Sequence, residues 1–183
     1  MKIVIRKDTS VLLLVFYIFL CCHLYSQENS EIDVFVTVLE HEIQKGKVLL
    51  SCQKEMNSFS KADFLEQSIL SVPEVILNEI QVSSKMESGG VWEIDLKKLT
   101  SISYGLTSEN CLSKDEIDKQ LDTKKKRQRV LIIDRPNFDD KKENCIVSIA
   151  YQKFHKSIYG QSYFLKRVYG KWVIIETFNS WMS

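Results

Sequence analysis

Beyond the first 26 residues, the side chains that could do chemistry are two histidines, three cysteines and two charge clusters. An imidazole titrates near neutrality, so His41 or His155 could carry a proton. Neither shows a partner in the sequence, as general acid–base work requires. His41 falls opposite the apolar stripe Ile32, Val36, Leu39 and Ile43 and reads as a solvated surface residue, while His155 in "FHKSIYG" falls in a loop between strands. Cys111 in "SENCLSKDE" precedes an expected helix N-terminus, a position that can lower a thiol pKa. The favoured reading is still an ordinary loop cysteine. "DDKKE" at Asp139–Glu143 places carboxylates side by side, but lysines flank them, and a solvated turn explains the cluster. "KKKRQR" at Lys124–Arg129 reads as a helix end entering a strand, since cations suit a helix C-terminus. Contact with an anionic partner or polysaccharide is the other option. No zinc-type spacing, calcium loop, nucleophile elbow or phosphate-binding glycine loop is present. We assign no catalytic, cofactor-binding or metal-ligating residue from the sequence, and expect no cofactor.

Any such residue needs elements to hold it. Residues 1–26 begin with Lys2, Arg6 and Lys7, run apolar from Val11 to Leu24 and reach a small residue at Ser26. That is the layout of a secretory signal peptide, and it places the chain outside the cytoplasm, periplasmic or extracellular. The alternative is an anchor over residues 11–25, the one route by which a membrane would be a partner. Residues 27–183 suit a single domain. The net charge of +1 removes the basic surface that nucleic-acid binding requires. Cys52, Cys111 and Cys145 allow at most one disulfide, with three pairings open and one thiol left over.

Helical spacing covers Glu31–Lys45, with Gly46 as terminator. Ser60 with Asp63 starts a short helix in "SKADFLEQSIL". Ser71 with Glu74 suggests a capping box around Pro73, with Val75, Ile76, Leu77 and Ile80 facing the core. Ser113 with Glu116 opens a further helix to about Lys124. "KVLLSC", "VWEIDLKKL" and "SISYGL" read as strands, followed by "VLIID", "CIVSIAYQKF", "SYFLKRV" and "KWVIIETF". The last two form a hairpin about Tyr169-Gly170. Trp172 and Ile174 point to one face, Val173 and Ile175 to the other, so this strand is expected inside the sheet, with Trp181 folding over the sheet's end. The fold class is α+β, a mostly antiparallel sheet with about three helices packed on it. A cone of the nuclear transport factor 2-like type, with an interior pocket, is the alternative.

"RPNFDDKKENCIVSIAYQ" followed by "YFLKRVYGKWVIIETFNSWMS" resembles the C-terminal half of a family of uncharacterised exported bacterial proteins. Those carry an "SRP-x-F" strand entry, a "YLLKK-x-NGKW" hairpin and a closing "W-I-S". Where they hold a Cys/Gly-rich turn, this chain has "FHKSIYGQ". The resemblance implies export and a small α+β domain, and no particular activity. The expected function is a non-catalytic exported domain that binds or inhibits another macromolecule. The alternative is a small-molecule binder or weak enzyme with a pocket, where His155, Tyr151 or Glu176 would converge.

Overall fold

The computed structural model describes residues 30–55, 59–86, 89–92, 96, 99, 105–123, 128–154 and 157–182. The expected signal peptide at 1–26 and the alternative anchor at 11–25 lie outside them. So do His155, Lys124 to Arg127, and most of the strands expected in "VWEIDLKKL" and "SISYGL".

Helix α1 covers 30–43 and ends in a turn at Gly46, whose φ of 131° favours glycine. Two short strands follow, β1 (Leu49–Leu50) and β2 (Gln53–Lys54), then helices α2 (Lys61–Gln67) and α3 (Glu74–Met86). Strand β3 (Gly90–Val91), helix α4 (Lys114–Thr123) and strands β4 (Val130–Ile133), β5 (Asn137–Phe138), β6 (Asn144–Phe154), β7 (Ser157–Val168) and β8 (Lys171–Met182) complete the order. The main sheet runs β1-β4-β6-β7-β8, with β5 also on β6, while β2 and β3 form a separate pair. Among the described strands of the main sheet, β1 with β4 is the one parallel pair. Pro136, which lacks an N–H, separates β4 from β5 along the same side of β6.

This is an α+β fold with helices on both faces of the sheet, and the described strands close no barrel. On one face α1 packs Val34, Phe35, Val38 and Leu39 onto Leu131, Val147, Tyr163, Leu165 and Trp172. On the other, Phe64 of α2 and Leu77 and Ile80 of α3 meet Ile146, Phe164 and Phe178. Alternation along β6 explains the division, since Ile146 serves one face and its neighbours Cys145 and Val147 the other. The face that a cone would leave hollow is therefore filled by α1.

The last strand corrects the expectation. β8 is the edge of the sheet, and Val173 and Ile175 are 41% and 43% exposed. Its terminus is nonetheless tied down. Trp172 and Phe178 are buried, and Trp181, itself half exposed, lies against Gly160 so closely that a Cβ there would come within 2.5 Å of the indole. A register shift opposite Phe164/Leu165 moves β8's inward side chains from the α1 face, at Trp172 and Ile174, to the α2 face, at Glu176 and Phe178. An apolar strand can thus serve both cores without being interior.

The α1 stripe is also rotated from its expected position. Its fully buried residues are Val34, Phe35, Val38, Leu39 and Glu42, and Ile32, Val36 and Ile43 lie at the margin. In α3, Leu77 and Ile80 are buried, but Val75 is 61% exposed. The box foreseen at Ser71 gives way to an ion pair, with Glu74 accepting from Lys61 at 2.8 Å. The other two start signals hold. Ser60 accepts from the Asp63 amide at 3.3 Å, and Ser113 and Glu116 cap each other reciprocally at the start of α4.

Candidate ligand-binding cleft

Arg129, the last residue before β4, is held from four directions. Its carbonyl accepts from the Leu49 amide at 2.8 Å. Its Cζ lies 4.4 Å from the centre of the Tyr151 ring, its Nη1 donates to the Lys45 carbonyl at 3.2 Å, and its Nη2 reaches the Tyr159 hydroxyl at 3.5 Å. Tyr151 and Tyr159 pair across β6 and β7 and stack with centroids 4.9 Å apart. A planar guanidinium suits such stacking, and its orientation is set before any ligand arrives. Its Nε, buried, has no partner.

Tyr151 links this arginine to a buried carboxylate. Glu42 is 0% exposed and accepts from the hydroxyls of Tyr151 and Tyr163 and from Lys45 Nζ at 2.8 Å. Gln161 donates to the Tyr163 hydroxyl. Burial pushes the Glu42 carboxyl up, but the hydrogen bonds from Lys45, Tyr151 and Tyr163 outweigh it and hold the group below the ordinary carboxylate range. The same burial, with the Glu42 charge, raises both tyrosine pKa values. These phenols stay protonated and donate. The cluster is a satisfied structural network with its charge neutralised by Lys45.

Arg129 faces an open cleft of about 400 Å³. Lys47 and Leu49 form one wall, Thr107, Ser108 and Leu112 a second, and Gln120 of α4 with Gln128 a third. Local sequence places each wall. Leu49 and Val130 pack against Ile117, which fixes α4 beside β1. The Leu112 amide donates to the Leu50 carbonyl and the Leu112 carbonyl accepts from the Cys52 amide, and the Cys52–Cys111 disulfide locks that contact. The Oε1 atoms of Gln120 and Gln128 are buried without partners. Three of the cleft's own polar groups, counting Arg129 Nε, are therefore unpaired, which costs free energy in the empty protein. No acidic side chain is among the described residues that line it.

The residues singled out from sequence fall elsewhere. Cys111 is bonded to Cys52 and is no nucleophile. Among the described cysteines Cys145 is the free thiol, fully buried, with burial and then the Asp139 charge pushing its pKa up. Tyr151 serves the Glu42 network. Glu176 lies toward the opposite face, accepting from the Ser68 hydroxyl and, at 2.9 Å, from the Ile69 amide. They do not converge. His41 is half-exposed, edge-on to Tyr163 at 5.6 Å, rather than opposite the core. Asp139 is not solvated. It is buried and accepts from the amides of Glu143 and Asn144 at 2.8 and 3.0 Å, shaping the β5–β6 turn. The described part of the basic run, Gln128 and Arg129, reaches the cleft. Nothing in the sequence marked these two as lining a cleft.

A second charged cluster sits at the start of α1. Glu31 accepts from Lys54 at 2.5 Å and Arg135 at 2.8 Å. Burial raises its pKa, and the two cations more than reverse the shift. Next to Arg135, burial and then the Glu55 charge raise Asp134 to about 7. A carboxyl raised in the folded state contributes stability that is complete below its unfolded pKa near 4 and is lost as pH climbs through 7. Chemical denaturation should therefore show stability falling from pH 4 to pH 7, and Asp134→Asn should flatten that slope. An unchanged slope would place the titration elsewhere. Among the described residues, no group of three or more His, Cys, Asp or Glu side chains could hold a metal ion. Searches of protein-family models, of curated proteins and of solved structures return no match to this chain.

Proposed function

We propose that this chain is an exported, non-catalytic binding domain that takes an anionic group of its partner into the Arg129 cleft. The observation that carries this reading is a pre-oriented arginine with an unpaired Nε, in a cleft that it shares with Lys47 and that has no carboxylate among its described lining residues. A cation held in place before binding spends little entropy on recognition. A macromolecular partner is favoured because both sheet faces are filled by the chain's own side chains. Only a protruding group of the partner would enter.

Export is supported by the layout of residues 1–26 and by the resemblance to exported proteins. The Cys52–Cys111 disulfide suits an oxidising compartment. No helix among the described residues is long and apolar enough to cross a membrane.

Acetate, sulfate and glucuronate, titrated at constant ionic strength, test the reading through the thermal midpoint. At least one of them should raise it, by mass action on the folded state, and Arg129→Met should remove the rise. A midpoint indifferent to every anion would sink the proposal.

A further inference from the structure

We infer that the anionic group is the carboxylate of a hydroxylated, uronate-type sugar residue. The inference rests on the cleft being the binding site.

The cleft's hydrogen-bonding inventory is mixed. Arg129 Nε and the Lys47 ammonium can only donate. Ser108 Oγ already accepts from the Asn110 amide at 3.3 Å and keeps its proton for a ligand. Thr107 Oγ1 donates to the Val48 carbonyl at 3.0 Å, so only its lone pairs remain. The Oε1 atoms of Gln120 and Gln128 have no donor.

An inorganic anion carries acceptors and would leave those two amide oxygens and the threonine unmatched. A neutral sugar would match them and leave two cations without a counter-charge. A uronate does both. Its carboxylate meets Arg129 and Lys47, and its hydroxyls donate to the glutamines. Leu49 and Leu112 offer an apolar strip for the C–H face of the ring. The volume of about 400 Å³ lies in the usual range for small-ligand sites, and the open mouth leaves room for the rest of a polysaccharide. The two orphan oxygens and Arg129 Nε are all buried in the walls, so a rotation of the two flexible glutamine side chains must uncover the three groups as the ligand enters.

The test is calorimetric titration with D-glucuronate, D-glucose and sulfate at matched ionic strength. Glucuronate should bind at least about tenfold tighter than either, the ratio expected from one extra well-made charged or polar contact. Gln120→Leu and Gln128→Leu should each weaken glucuronate about tenfold and leave sulfate unchanged, with thermal melts confirming that the variants fold. Gln128→Glu, of the same size, should abolish glucuronate binding by charge repulsion. Sulfate binding as tight as glucuronate, or glutamine variants that bind glucuronate normally, would overturn this inference and leave the anion-binding function standing. Glucose binding as tight as glucuronate, or no binding of any probe at millimolar concentration, would overturn both.

Discussion

Glu42→Ala is expected to lower the unfolding free energy by about 3–5 kcal/mol, the usual cost of removing one member of a buried charged network. The carboxylate is fully enclosed and is the acceptor for Tyr151, Tyr163 and Lys45. Its removal leaves two phenols and an ammonium without their partner, and each unpaired buried donor is costly. Stability of a typical domain is about 5–15 kcal/mol, so the variant should be close to unfolding in mild denaturant. Replacing the whole network by apolar groups should behave differently. Glu42→Leu combined with Tyr151→Phe and Tyr163→Phe should regain a large part of the loss, because no orphan remains. The acid limb has a defined sign. Glu42 has a lowered pKa in the fold, so its contribution is present above the unfolded value of 4.5 and is lost as pH falls through the folded one. Urea denaturation of the single and triple variants at neutral and acidic pH checks all three statements. A Glu42→Ala loss below about 1 kcal/mol, the size of an ordinary exposed pair, would show that the network is not buried as described.

Loss of the Cys52–Cys111 bond should cost about 4 kcal/mol. The two residues lie 59 apart in sequence, and the entropy of closing a loop of that length in the unfolded chain gives this size. The bond joins the end of β1 to the segment that pairs with it, where the Cys52 amide donates to the Leu112 carbonyl at 2.9 Å. A Cys52→Ser/Cys111→Ser variant measured by chemical denaturation gives the cost directly. It should also loosen the cleft wall carrying Thr107, Ser108 and Leu112, so ligand affinity should fall along with stability. Under non-reducing, denaturing conditions Cys145 should label with a thiol reagent, and Cys52 and Cys111 should not. Labelling of all three would show that the bridge is absent.

Signals that act over three or four residues could be read from the sequence, and those that depend on distant contacts could not. The Ser60 and Ser113 starts, the Gly46 stop and the β7–β8 hairpin were all legible, because a hydroxyl, a glycine or a tight turn does its work locally. The buried face of α1 was misjudged because Glu42, a charged residue, occupies one of its core positions. Periodicity counts apolar residues and gives no weight to a carboxylate whose partners lie on β6 and β7. β8 looked interior because both sets of alternate residues are apolar, yet Val173 and Ile175 stay half exposed at the sheet edge, and a register shift lets the other set reach both cores without a second neighbouring strand. The cysteine pairing, the parallel β1–β4 contact and the cleft each join segments far apart in the chain, and composition carries no trace of such meetings.

The parallel β1–β4 contact also governs how the chain assembles. Strands β6 and β7 each pair with the next strand in the chain, so their closure loops are short and they can form early. Leu49 and Leu50 have no main-sheet neighbour until Val130 and Leu131 have been synthesised. The Cys52–Cys111 contact does not wait for β4, because the Cys52 amide donates to the Leu112 carbonyl and the Leu112 amide to the Leu50 carbonyl, which brings the two Cα atoms to 4.9 Å. Burial of Cys145 within the β6–β7 pair keeps the third thiol away from the bridge in the folded protein, so the fold itself separates the paired cysteines from the unpaired one.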